Sequence, residues 1–133
     1  MKYLLDTNTC IQFLRRRESP VKRKLMSADF ASVALCSVVK AELYFGAQRS
    51  ALPQAELARL DEFFAHFVSL PFDDRAGEVY GRVRAQLARQ GALIGPNDLL
   101  IASIALANEA TLVTHNTAEF KRVDVLQIED WQV

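Results

Sequence analysis

The sequence has little of what marks a specialised chain. Only two cysteines occur in its 133 residues. Cys10 and Cys36 form no CxxC pair and lie at no Cys/His ligand spacing, which argues against a thiol-metal site and fits a reducing cytosol. His66 and His115 are equally isolated. No apolar run approaches the roughly 20 residues that span a bilayer, so no membrane segment is expected. The start, Met1-Lys2-Tyr3-Leu4-Leu5-Asp6, does not read as a signal peptide, because its apolar run stops at an acid. Proline and glycine are sparse, four and five residues respectively, and scattered singly, so no linker or domain boundary shows. Net charge is missing too: 16 Lys+Arg balance 16 Asp+Glu. That argues against binding nucleic acid through bulk electrostatics alone.

What is present is a chain that is 50% hydrophobic, long enough to bury a core as one domain over 1–133. The zero charge hides an asymmetry. Residues 1–52 carry nine basic groups against four acids, and six of the nine (Arg15, Arg16, Arg17, Lys22, Arg23 and Lys24) fall within ten residues. This is either a solvated helix end and loop or a basic lip beside a site that handles an anion.

Periodicity alternates between strand and helix. Tyr3–Leu5, Ser32–Cys36, Val68–Leu70, Thr111–Thr114 and Val125–Ile128 read as short buried strands. Amphipathic helices are predicted over 7–14, 20–28, 37–50 and 53–66, with a longer one after Asp73. The stretch from Asp98 to Ala107 is apolar nearly all round and predicts a fully buried helix. Short apolar strands alternating with helices indicate an α/β fold, a mainly parallel sheet covered by helices on both faces.

Against this pattern four places stand out. Asp6 ends a buried strand, where ligand sites of parallel sheets gather, although it could simply cap the next helix. Glu42 shares a helical face with Val38, Val39, Phe45 and Gly46, so its carboxylate is expected on the core stripe. It would need a distant Arg or a metal ion as partner. Asp98 opens the buried helix, as a cap or as a ligand. Thr114-His115-Asn116 follows the fourth strand, with Glu119 one turn on. In a parallel sheet all these positions share one edge. Crowded carboxylates repel unless a cation neutralises them, and oxygen-only donors suit Mg²⁺ or Mn²⁺. Such an ion serves phosphodiester hydrolysis, by activating water and stabilising charge on the phosphate.

The runs Leu4-Leu5-Asp6-Thr7-Asn8, Ser37-Val38-Val39-Lys40-Ala41-Glu42-Leu43 with Gly46, Asn97-Asp98-Leu99-Leu100-Ile101-Ala102, and Leu112-Val113-Thr114-His115-Asn116 with Glu119-Phe120 closely resemble the PIN-domain family. Within it they resemble the VapC toxins, the ribonuclease half of bacterial toxin–antitoxin pairs. The resemblance covers essentially the whole chain. It implies a PIN fold, a Mg²⁺- or Mn²⁺-dependent endoribonuclease acting on structured RNA (tRNA for several relatives), and usually a homodimer. It also implies a VapB-type antitoxin that inserts a C-terminal segment into the active-site groove.

By position Asp6, Glu42 and Asp98 match the family's acids. The fourth falls on Asn116, where many relatives carry Asp, so Glu119 is a candidate to supply the missing charge and Thr114 a hydroxyl. The basic lip at Arg15–Lys24 would position the RNA backbone. Two other readings exist. A haloacid-dehalogenase-like phosphatase is disfavoured, because Asp6-Thr7-Asn8 lacks the second acid of DxD. The other is a PIN-fold binding module that has lost hydrolysis.

Overall fold

A computed structural model describes residues 2–133. It holds one five-stranded sheet, entirely parallel, in the order β3-β2-β1-β4-β5. The strands are β1 (Tyr3–Leu5), β2 (Val33–Cys36), β3 (Val68–Leu70), β4 (Thr111–Val113) and β5 (Ile128–Glu129). The inner strands are continuous apolar runs because helices cover both faces: Leu4, Leu5, Val33, Ala34, Leu35, Leu112 and Val113 are all fully buried.

The chain leaves β1 through α1 (Thr7–Arg15) and α2 (Pro20–Ser27), reaching β2 after a short 3₁₀ turn at Phe30–Ser32. Helices α3 (Ser37–Gln48) and α4 (Pro53–Phe64) lead to β3 at the sheet's edge. Then α5 (Asp74–Arg89) and α6 (Pro96–Ala107) carry the chain across to β4, on the other side of β1. Local signals set the boundaries. Ser19 caps α2 ahead of Pro20, Asp73 accepts the Ala76 amide at 2.9 Å, and Gly91, at φ 63°, ends α5.

The α/β reading, and the existence of every predicted strand and helix, therefore hold. The differences are local. The last strand is Ile128–Glu129 rather than Val125–Ile128; the preceding residues form turns that sink Val123 and Leu126 into the core instead. A four-residue helix, α7 (Thr117–Phe120), follows β4 and buries Phe120. The apolar helix begins at Pro96, and Leu100 and Leu106 stay half-exposed on it. Both cysteines are buried and free. Among the described residues no helix is long and apolar enough to cross a membrane.

This strand order has one consequence for function. Successive connections run outward from β1 to β2 and β3, then jump back to β4. The reversal falls between β1 and β4, and the crevice at their carboxyl ends is where open parallel sheets bind ligands.

Candidate active site

Asp6 and Thr114 are the first residues past β1 and β4, so they flank that crevice. Asp6 is only 5% exposed, and its Oδ1 accepts the Thr9 amide at 2.9 Å, capping α1. Capping and a role at the site are thus compatible uses of one carboxylate. Burial pushes the Asp6 carboxyl above its ordinary range; hydrogen bonds from Thr114 and Thr9 oppose this, and the charge of Glu42 adds to it. The Thr114 hydroxyl, itself fully buried, also accepts the Asn116 amide at 3.0 Å.

Glu42 departs from expectation. Its side chain is half-buried and paired neither with an Arg nor with the core. The Thr7 hydroxyl donates to Oε1 at 2.6 Å, and Asn97 Nδ2 reaches Oε2 at 3.4 Å. The stripe read as core-facing is in fact split. Val39 is buried, whereas Val38, Glu42, Phe45 and Gly46 wall an open groove of about 850 Å³. Glu42 therefore needs no buried counter-charge, because water reaches it.

Asp98 lies in the first turn of α6, whose cap residue Gly95 offers no side chain. The cap residue's own amide is held from a distance. Glu119 Oε1 accepts the Gly95 amide at 2.7 Å, and Glu119 Oε2 accepts from Asn116 Nδ2. Burial first, then the neighbouring Glu119 carboxyl and the charges of Glu42 and Asp6, push the Asp98 carboxyl up to about 7. The Gly95 amide above all, with Asp98 and Asn116 beside it, holds Glu119 below the usual carboxylate range. Gly95 fits this corner closely: a Cβ there would lie 3.5 Å from Glu119 Oε1 and 3.7 Å from Asp98 Oδ2.

Asp6, Glu42, Asp98, Glu119, Thr114 and Asn116 are thus gathered at one sheet edge. The basic residues are not. Arg15 lines the groove beside Glu42. Arg16 and Arg17 are exposed in the bend after α1. Lys22 lies over the Phe13 ring and Arg23 pairs with Glu18 at 3.8 Å. Lys24 borders a hollow with Lys2, Tyr3 and Ser32, by the amino ends of β1 and β2. The lip expected over Arg15–Lys24 breaks up because α2 carries the chain back towards the start of β2. His115 pairs with Asp130 at 2.9 Å, outside the cluster.

Thr7, Asn97 and Arg49 belong to the site but carry no sequence signal of their own. Thr7 and Asn97 could have been suspected only as neighbours of Asp6 and Asp98. Helical spacing sets Arg49 a turn beyond the Glu42 face, where no Lys or Arg is expected, yet from the C-cap of α3 it lines the same groove as Glu42.

The donor set suits a hard divalent cation. The charged groups of the Asp6, Glu42, Asp98 and Glu119 cluster are all carboxylates, and their mutual repulsion adds to burial in raising Asp98, an excess that a cation would relieve. Among the described residues no three His, Cys, Asp or Glu side chains are drawn close enough to hold a metal ion together. Asp6 and Asp98, with Glu42 beside them, are the groups that could hold one after side-chain rotation.

Comparison with known proteins agrees with this geometry. A family model for the PIN domain matches residues 3–126. The chain is 38% identical over 132 residues to a ribonuclease VapC2 of Rickettsia felis, covering 98% of each. It is 37% identical over 131 residues to a tRNA(fMet)-specific endonuclease VapC of Shigella flexneri, again covering 98% of each. In fold it resembles a chain of VapBC from Salmonella typhimurium bound to DNA (TM-score 0.93, 34% identity, 98% of both chains). It likewise resembles a chain of VapBC2 from Rickettsia felis bound to a promoter DNA fragment (TM-score 0.90, 37% identity, 98% of this chain and 99% of that one). With sequence and fold alike over nearly its whole length, the chain belongs to the PIN-domain family, in its VapC branch.

Proposed function

We propose that the chain is the toxin of a type II toxin–antitoxin pair, an endoribonuclease that uses Mg²⁺ or Mn²⁺ to hydrolyse phosphodiester bonds in structured RNA. The substrate class we favour is tRNA, and the partner a VapB-type antitoxin, with the toxin itself homodimeric. The observation that carries this reading is the gathering of Asp6, Glu42, Asp98 and Glu119 at the β1/β4 crevice, where burial and the neighbouring carboxylates together push Asp98 to about 7. The full-length likeness to proteins called ribonuclease and tRNA-specific endonuclease supports the activity, and the VapBC complexes support the partner.

Each side chain then has a task. Asp6 and Asp98 would hold the cation, which when bound would stabilise charge on the scissile phosphate and ease deprotonation of water. Glu42 accepts the proton of the attacking water. Its Oε1 is occupied by Thr7, and its Oε2 meets only the long contact from Asn97, so Oε2 is the free base. Thr114 fixes the Asp6 carboxylate. Glu119, tied to Gly95 and Asn116, holds the start of α6 and hence Asp98. Arg15 meets the RNA backbone along the groove.

The test is cleavage of total tRNA by the purified protein. Cleavage is expected with Mn²⁺, should stop with EDTA, and should return on adding excess Mg²⁺ or Mn²⁺. Cleavage that persists in EDTA refutes the metal requirement. RNA binding with no cleavage under any metal makes the protein a binding module, the reading that the amide at Asn116 in place of an acid would favour.

A further inference from the structure

Helix α3 presents a pair of side chains that the carboxylate cluster leaves unexplained. Phe45 follows Glu42 by three positions on the same helical face, and Arg49, the C-cap residue of α3, follows it by seven. The Arg49 guanidinium lies over one face of the Phe45 ring, 4.7 Å from its centroid, yet Phe45 remains 62% exposed. Both line the groove that passes Glu42.

A lone exposed Phe is ordinary. This one differs in its surroundings. Glu42 is the only acid among the described residues lining the groove, and Arg15 and Arg49 are its cations. Gly46, between Glu42 and Arg49 on that face, would have no atom within 4 Å of an added Cβ, so the wall beside the ring stays open. An aromatic ring backed by a guanidinium, between cations and next to a phosphate-cleaving cluster, matches the chemistry of single-stranded nucleic acid. Its bases stack on aromatic and Arg planes while its phosphates seek Arg. An apolar peptide would gain nothing from the two arginines. A paired base offers no free face, so the fitting ligand is an unpaired nucleotide, as in an RNA loop.

We propose that Phe45, backed by Arg49, is a stacking platform for an unpaired nucleobase of the RNA. It seats that base in the groove beside Glu42, with Arg15 and Arg49 meeting the flanking phosphates. This subsite rests on the ribonuclease reading, and it selects for unpaired substrate at the cut.

Steady-state cleavage of total tRNA by the full chain tests it, comparing wild type with F45L and F45W. F45L keeps apolar bulk but has no π-face. It is expected to raise KM about ten-fold, within the range for loss of one base–aromatic stack. Its kcat should hold within about two-fold, as for loss of binding shared by ground and transition states. F45W should restore KM, and its added indole fluorescence should be quenched by a single-stranded oligo(U) 12-mer but not by a fully paired RNA duplex. The quench is read without cleavage, so it tests the platform even if wild type proves inactive. An unchanged KM in F45L, or equal quenching by duplex, overturns the proposal. So does an F45L protein that cleaves like wild type but sediments differently, which would make Phe45 a protein contact.

Discussion

Asp6 has two roles that substitution can separate. As the α1 cap it accepts the Thr9 amide at 2.9 Å; as a carboxylate it is a charge only 5% exposed, raised by burial and by the repulsion of Glu42. Asp6→Asn keeps an oxygen for Thr9, because Asn caps helices as well as Asp does. The new amide N–H can point at the Thr114 hydroxyl, which has a lone pair to spare. The charge, with its desolvation cost, disappears. In EDTA the Asp6→Asn protein should therefore melt no lower than wild type.

Asp6→Ala removes both roles. The lost cap, which strands the Thr9 amide, costs about 1 kcal/mol, and the buried Thr114 hydroxyl left without its carboxylate partner brings the total to about 2 kcal/mol. For a domain of this size that is a fall of about 6–10 °C in Tm. Both variants should lose RNA cleavage in Mn²⁺ by at least the ~10–100-fold that loss of even a group supporting a metal ligand costs. Thermal melts by circular dichroism in EDTA, beside cleavage of total tRNA, read the two quantities independently. If Asp6→Asn destabilises as much as Asp6→Ala, the capping geometry is wrong; if it cleaves at the wild-type rate, the catalytic assignment is wrong.

Two further outcomes follow from the Asp98 corner. Asn116→Asp sets a second carboxylate against Glu119 Oε2, and Glu119→Gln sets two amide donors against each other; the pair is exposed, so each single change should cost about 0.5–1 kcal/mol in melts. Together they restore the bond with its polarity reversed and keep an acceptor for Gly95; a double variant no more stable than the weaker single would refute the strut. The second outcome concerns pH. Asp98, pushed up to about 7 against an ordinary value of 3.8, keeps its proton in the folded state over a window where the unfolded chain has lost it. The metal-free protein should therefore lose stability as pH rises from about 5 to 7.5; Glu119, shifted downward, titrates below that window. Asp98 is only half-buried, so screening leaves about 1 kcal/mol, or roughly 3–5 °C. Asp98→Asn should abolish that part of the slope, and an identical slope in this variant would contradict it.

How much of this is legible in the sequence depends on whether a residue's role is set along the chain or across it. Asp6 is legible because ligand sites of parallel sheets gather at carboxyl ends of strands; that β1 borders the reversal is set by the strand order, which no local pattern carries. Glu42 is legible as an oddity, but its surroundings are not. Periodicity marks Val38, Phe45 and Gly46 as one face without saying whether core or solvent covers it, and here solvent does. The basic cluster misleads for the opposite reason. Six cations adjacent in sequence are separated by the bend between α1 and α2, while Arg49, far from them in the chain, joins Arg15 at the groove. The Glu119 strut spans 24 residues to Gly95 and has no local signature. The two-residue β5 and four-residue α7 are shorter than a hydrophobic period can resolve.

The balanced charge of the chain acquires a physical meaning from these placements. Acids and bases cancel in number, but four acids are concentrated at one crevice while most of the N-terminal cations are dispersed over solvent. Concentrated like charge costs stability, and it adds to burial in raising the Asp98 carboxyl. The sheet beneath tolerates it because Leu4, Leu5, Leu112 and Val113 are wholly buried, so the strain is confined to side chains beyond the strand ends. A site built this way is least comfortable when empty and fully ionised. A proton or a cation reaching the β1/β4 crevice relieves that excess, so the fold should gain stability from either.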